Sequence, residues 1–253
     1  MIKDSFNGAN YFLRGLSLIT KPGVRRFVII PLILNIIVFS LLIAYGYQQF
    51  GLLLDWLLPD PDSWFNWLRW VLIPVFGIVV AVAVFFLFTI VANFIGAPFN
   101  ALLADAVEQH LTGGKYESGK GMREVIASVG PTMISELKKI LYYLIITSPF
   151  LILFFVTLFF PPLNLVVSVA GVLVTAWILS VQYCDYPFDN HEINFSDLRQ
   201  RLGQKRFMTF GFGGAAMLMM AIPFINFIVM PTAVAGATMM ALKEFEIGNS
   251  SAD

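Results

Sequence analysis

Apolar and charged positions alternate in blocks along this chain, and the lengths of the apolar blocks set its plan. Residues 27–54 form a run of 28 without a charge. As a helix they would extend about 42 Å, against a bilayer hydrocarbon core of about 30 Å. A first spanning helix that overshoots the membrane is therefore predicted, with Pro31 kinking it near one end and re-aiming its first turn. A second span is predicted from Trp70 to about Ala97. The stretch Asn93-Phe94-Ile95-Gly96-Ala97-Pro98-Phe99-Asn100 then disrupts it, and Asn93 and Asn100 are expected to lie in protein rather than lipid, as pore or coupling candidates. Past Pro98, Phe99, Leu102, Leu103, Ala106, Val107 and Leu111 keep helical spacing while Asp105, Glu108 and Gln109 turn elsewhere. That helix should leave the membrane and stop at Gly113-Gly114.

Two later uncharged runs cover 45 residues (140–184) and 36 residues (207–242), with basic residues flanking both. Each should enter and return on the same side. Their turning points are alike: Pro161-Pro162-Leu163-Asn164-Leu165-Val166-Val167 against Pro223-Phe224-Ile225-Asn226-Phe227-Ile228-Val229. Such a weak internal repeat suits proteins that use broken helices. The arms of the second hairpin, 207–222 and 227–242, hold 16 residues each, or about 24 Å of helix. They are predicted to insert only part way, and their exposed tip to require another protein surface, most simply a second subunit. The first hairpin has arms long enough to span, though Pro149 interrupts one, and length leaves its depth open. Gly211, Gly213, Gly214, Ala215 and Ala216 read as a close helix contact. At the other end of the chain, Phe6, Ala9, Leu13, Leu16 and Thr20 recur at helical spacing with Asn10, Arg14 and Ser17 between them. A helix over residues 5–20 lying in the membrane interface follows.

Composition supports this plan. Of 253 residues, 58% are hydrophobic and only 13% charged, the balance of an integral membrane protein. Sixteen basic residues meet sixteen acidic ones, so no bulk positive field points to nucleic acid. The segment 55–69, with three aspartates and three of the five tryptophans, is expected to face outward, and 115–139, with five basic residues, the cytoplasm. Residues 1–14 lack the apolar core of a secretory signal peptide, so none is expected. Cys184 is alone, which excludes an internal disulfide or a cysteine-built metal site. His110 and His191 have no ligands at metal-like spacing, so neither a metal nor a cofactor is expected. Gly114-Lys115-Tyr116-Glu117-Ser118-Gly119-Lys120-Gly121 imitates a phosphate-binding loop, but Gly121 stands where Ser or Thr should hold magnesium and no strand precedes it; it reads as a turn.

The chemistry concentrates in Gly15-Leu16-Ser17-Leu18-Ile19-Thr20-Lys21-Pro22-Gly23-Val24-Arg25-Arg26. Pro22 suits the first position of a helix, which would leave the amides of Gly23 and Val24 bare. Those donors and the positive helix end favour a tetrahedral oxyanion, Gly23 lets it approach, and Arg25 and Arg26 add guanidinium forks that match sulfate or phosphate oxygens two at a time. The competing reading makes the arginines ordinary topology signals that hold lipid headgroups. Asp105 and Glu108, three apart on one helical face, could be paired acids; ion pairing with Arg123, Lys138 or another basic group ranks ahead of catalysis. His191, near Asp189 and Glu192, reads either as a proton-coupling group or as a solvated loop histidine. Asp185 could cap the chain or bind a partner arginine. No nucleophile with its base and no metal cluster sits in the apolar runs, so an enzyme is not expected.

Three ordered motifs resemble the CysZ family of bacterial sulfate permeases: Gly15-Leu16 with Pro22-Gly23-Val24-Arg25-Arg26 and Pro31; Asn93-Phe94 through Pro98-Phe99-Asn100 to Asp105-Ala106-Val107-Glu108; and Tyr183-Cys184-Asp185-Tyr186-Pro187 to His191. The resemblance covers essentially the whole chain. It implies an all-α integral membrane protein of the inner membrane with two long transmembrane helices, two half-inserted helical hairpins and assembly into dimers or larger oligomers. It further implies sulfate entry for cysteine biosynthesis, with sulfite as a competing anion, and a sulfate site at Gly15, Leu16, Pro22, Gly23, Val24, Arg25 and Arg26. On this reading one membrane domain is divided into an interfacial helix (1–21), a first span (22–54), a periplasmic loop (55–69), a second span with cytoplasmic extension (70–112), a cytoplasmic segment (113–139), two hairpins (140–184 and 207–242) around a cytoplasmic loop (185–206), and a tail (243–253), both termini being cytoplasmic. A membrane scaffold whose arginines bind lipid is the rival from another class.

Overall fold

A computed structural model describes residues 1–57, 66–114, 133–223 and 225–247, and every regular element among them is helical. In chain order these are α1 (Ile2–Leu18), α2 (Arg26–Leu57), α3 (Asn66–Thr112), α4 (Met133–Phe159), a 3₁₀ turn (Pro161–Leu163), α5 (Asn164–Asn190), α6 (Phe195–Gln204), α7 (Arg206–Met220) and α8 (Asn226–Glu244). The all-helical class read from the apolar blocks holds. Both expected turning points are real breaks, since helices end at Phe159 and Met220 and resume at Asn164 and Asn226.

Two expected interruptions do not occur. α3 continues unbroken for 47 residues through Gly96 and Pro98, and α4 continues through Pro149. A proline costs a helix one hydrogen bond and some bending, and a long apolar helix can absorb both. α3 stops where glycines demand it. Gly113 and Gly114 have φ of +68° and +77°, and the Gly114 N–H donates to the carbonyl of Gln109 at 2.9 Å, closing the end in a Schellman-like cap. α5 runs past Cys184 and through Pro187 to Asn190, so much of the expected loop 185–206 is helix.

The chain divides into two compact units, Ile29–Phe99 and the combination of Met1–Val28 with Asn100–Asp253. In the first, the apolar face of α2 is outward: Ile33, Ile36, Ile37 and Leu41 are all exposed, as lipid-facing residues would be. The second unit is organised around α8. Val229 and all ten residues from Thr232 to Ala241 are buried, covered by α1, α5 and α7. The 15 residues of α7 give about 22 Å, too short to cross a bilayer. Most of the packing partner that the length argument sought in a second subunit is thus supplied along α8 by this chain. Leu218, Met220, Ile222 and Phe227, around the tip, remain exposed.

Glycines let these helices touch backbone to backbone. A Cβ at Gly8 would fall on the Met208 carbonyl oxygen, at Gly211 on that of Ser5, at Gly15 on that of Thr232, and at Gly213 on that of Ala176. A Cβ at Gly236 would lie 2.5 Å from the Tyr11 oxygen. α1 is therefore interlocked with α7 and α8 from both sides of each contact, with Phe12 edge-on to Phe212 at 6.0 Å. Gly211 and Gly213 make the close contact read from sequence, whereas a Cβ at Gly214 would meet open space. α1 is more than an interfacial helix. It has a buried face (Gly8, Phe12, Gly15, Leu18), an exposed apolar face (Ile2, Phe6, Leu13, Leu16) and an exposed polar face (Asn7, Asn10, Arg14, Ser17).

Candidate functional site

The chain leaves α1 and enters α2 through a tight turn. The Val24 N–H donates to the carbonyl of Lys21 at 3.2 Å, and Gly23 has φ +86°. Proline at the second position and a left-handed glycine at the third make this a type II turn. Pro22 is accordingly a turn residue rather than the first residue of a helix, and α2 begins four residues later at Arg26. The reason is local: a left-handed residue cannot continue a right-handed helix, so Gly23 delays the start.

This geometry redistributes the expected donors. Val24 and Arg25 both donate to Lys21, and Phe27 and Val28 donate to the carbonyls of Val24 and Arg25 at 3.0 and 3.1 Å. The Val24 amide is therefore not bare, contrary to the sequence reading. From Lys21 to Val28 the N–H groups without a backbone acceptor are those of Gly23 and Arg26. The Val24 side chain is 1% exposed and joins Leu18 and Ile19 in the core, so it anchors the turn from below. Gly15 is likewise buried, packed against the backbone of α8 at Thr232 and Gly236. Leu16 is exposed on the apolar face of α1.

Above the anchor, Lys21, Pro22, Gly23, Arg25 and Arg26 all stand in the open. Among the described residues no carboxylate pairs with Lys21, Arg25 or Arg26, and Arg26 rests over the Phe27 ring at 4.7 Å. Three cations without a carboxylate partner among the described residues and two open amides thus lie on one short turn, donor chemistry of the kind that suits a small oxyanion. Lys21 is the addition to the sequence reading; its place at the first position of a Pro-Gly turn was the available signal. A Cβ at Gly23 would meet nothing within 4 Å, so its requirement is purely conformational. Gly23→Ala should lower stability by about 1 kcal/mol, and Gly23→Asn by less, because asparagine tolerates the left-handed region. Thermal melts of the two variants check this; equal, unshifted melting would refute it.

The other candidates gather elsewhere, where the end of α3 meets the end of α5. His191 Nε2 lies 2.9 and 3.1 Å from the two Glu108 oxygens, with the two side chains 8% and 2% exposed. The Asn190 side-chain amide donates to Asp105 at 2.8 Å and to the carbonyl of Ala101 at 2.9 Å. Asn100 reaches the Tyr186 hydroxyl at 3.4 Å. Lys139 pairs with Asp185 at 2.6 Å, so this aspartate binds a lysine of its own chain. His191 is therefore no solvated loop residue, and Glu108 meets this histidine. Arg123, the whole side chain of Lys138, the side chain of Asn93, and residues 115–121 of the loop that imitates a phosphate-binding turn lie outside the described residues. His191→Ala would leave the buried Glu108 side chain without this hydrogen-bond partner, a loss of about 1–3 kcal/mol. Denaturant unfolding in detergent measures it; a variant as stable as the parent would show the pair to be without structural weight. Among the described residues no group of histidine, cysteine and carboxylate side chains could hold a metal.

Four helices among the described residues are long and apolar enough to cross a bilayer. They define a multi-pass helical membrane protein, and the cationic turn is exposed at the start of the first of them. The family model described as Sulfate transporter CysZ/Etoposide-induced protein 2.4 matches residues 11–231, and the chain belongs to that family. Its relatives include proteins called Sulfate transporter CysZ from Pseudomonas aeruginosa (strain LESB58), 40% identical over 95% of this chain and 96% of the relative, and from Vibrio parahaemolyticus, 39% identical over 94% and 95%. A protein of the same name from Vibrio cholerae is 37% identical over 98% of this chain and 97% of its own length.

Proposed function

We propose that this protein carries sulfate across the bacterial inner membrane to supply cysteine biosynthesis, with the dianion held at the turn between α1 and α2. The observation that carries the reading is the turn itself: Lys21, Arg25 and Arg26 unpaired with any carboxylate among the described residues, beside the open amides of Gly23 and Arg26. Guanidinium forks and oriented N–H groups supply the hydrogen bonds a desolvating sulfate requires. The name shared by relatives along nearly the full chain supports the same substrate. Nothing in those relatives favours a scaffold without transport, and the family calls for no enzymatic step. Sulfite, another small oxyanion, is the expected competitor.

The basic residues around Arg25 and between α5 and α7 support a cytoplasmic side for those segments and for both termini. The apolar tip at Leu218, Met220, Ile222 and Phe227 supports assembly into dimers or larger oligomers, since open backbone and apolar surface at such a tip need protein cover. The test is the flux of labelled sulfate into liposomes holding the purified protein. Uptake well above empty vesicles is expected, and uptake equal to theirs would overturn the reading.

A further inference from the structure

The polar face of α1 leads away from the turn. Asn7, Asn10, Arg14, Ser17 and Lys21 recur at alternating spacings of three and four, and all five are exposed. That spacing stacks the first four along one side of α1, and Lys21 follows three residues past the end of the helix at Leu18. Asn7, Asn10, Tyr11 and Arg14 line a cleft of about 140 Å³ against Glu244 at the end of α8.

A carboxylate in such a cleft would ordinarily repel an anion. Glu244 is already engaged: Tyr11 donates its hydroxyl to one oxygen at 2.7 Å, and Lys205 contacts the other at 2.7 Å. The same contacts hold Tyr11 protonated, its pKa pushed up to about 12 by burial first and by Glu244 second. What the cleft offers a ligand is the Arg14 guanidinium and two carboxamides, none with a side-chain partner among the described residues. A neighbouring cleft of about 510 Å³ shares Asn7 and Glu244 and adds Lys205, Arg206 and Asp4, the last paired with the Met1 amino group at 2.8 Å.

Resting on the sulfate reading above, we propose that Arg14 with Asn7 and Asn10 forms a second, weaker oxyanion station that feeds the turn. A cation and neutral donors without a closing wall would hold a dianion loosely and raise its local concentration beside the tighter seat. The occupant is free sulfate; a lipid phosphate would meet the same donors.

The test uses the full chain with Arg14→Gln, and separately the Asn7→Ala, Asn10→Ala pair, in zwitterionic and in anionic vesicles. In zwitterionic vesicles the half-saturating sulfate concentration should rise about three- to tenfold with maximal flux unchanged, the effect of losing one exposed charge-assisted contact. Calorimetry should show the tight site at the turn still filled. An unchanged half-saturation in both vesicle types would overturn the proposal. An effect confined to anionic vesicles would assign the station to lipid headgroups and overturn it equally. If the parent protein itself neither binds nor moves sulfate, the underlying reading fails instead, and this failure is seen without any variant.

Discussion

Gly15→Leu is expected to prevent α1 from docking and to destabilise the protein by at least about 3 kcal/mol. Overpacking a core usually costs about 1–3 kcal/mol because neighbouring side chains can shift. Here the obstacle is the main-chain oxygen of Thr232, with the Gly236 backbone beside it. Neither moves without displacing α8, the most completely buried helix in its unit. The expected result is a broadened elution profile in detergent, a lowered melting temperature and new proteolytic cleavage within α1. Gly214→Ala is the matched control, since its Cβ would enter open space and should change stability by no more than about 0.5 kcal/mol. If Gly15→Leu melted like the parent, the interlocked packing described above would be wrong.

The second large effect concerns binding. Arg25→Ala with Arg26→Ala should weaken sulfate binding more than about a hundredfold, since each hydrogen bond to a charged group contributes about 1.5–3 kcal/mol net. Both side chains are exposed and neither belongs to the core, so the fold should survive. Calorimetry measures the loss and circular dichroism the intact helices. The pair Arg25→Lys with Arg26→Lys should fall between, because an ammonium keeps the charge but cannot fork onto two oxygens. Unaltered binding in the alanine pair would move the seat elsewhere.

The sequence made legible whatever depends on length and period. Runs of uncharged residues located the long helices, Pro161 and Pro223 marked both reversals, and Gly113-Gly114 marked the end of α3. It also marked the cationic stretch at Arg25 and Arg26, but misread the backbone there. Pro22 is acceptable both at a helix start and at the second position of a turn. The decision fell to Gly23, whose positive φ is a conformational choice that the letter alone permits without requiring. Gly15 was grouped with the anion seat when its work is in packing, because the carbonyl that it accommodates lies 217 residues away at Thr232. The His191–Glu108 pair was hidden for the same reason: the partners are 83 residues apart, and only the continuation of α5 past Pro187 brings them together. Periodicity reports a helix's faces, while contacts between distant faces belong to the tertiary fold.

That α1 is locked between α7 and α8 also has a temporal consequence. α1 cannot reach its resting place until α7 and α8 have been made, a closure across two hundred residues or more. During synthesis its glycine face must wait without a partner. A nascent chain released before α7 would thus carry the cationic turn on an unanchored helix, and one released between α7 and α8 would hold that helix by α7 alone.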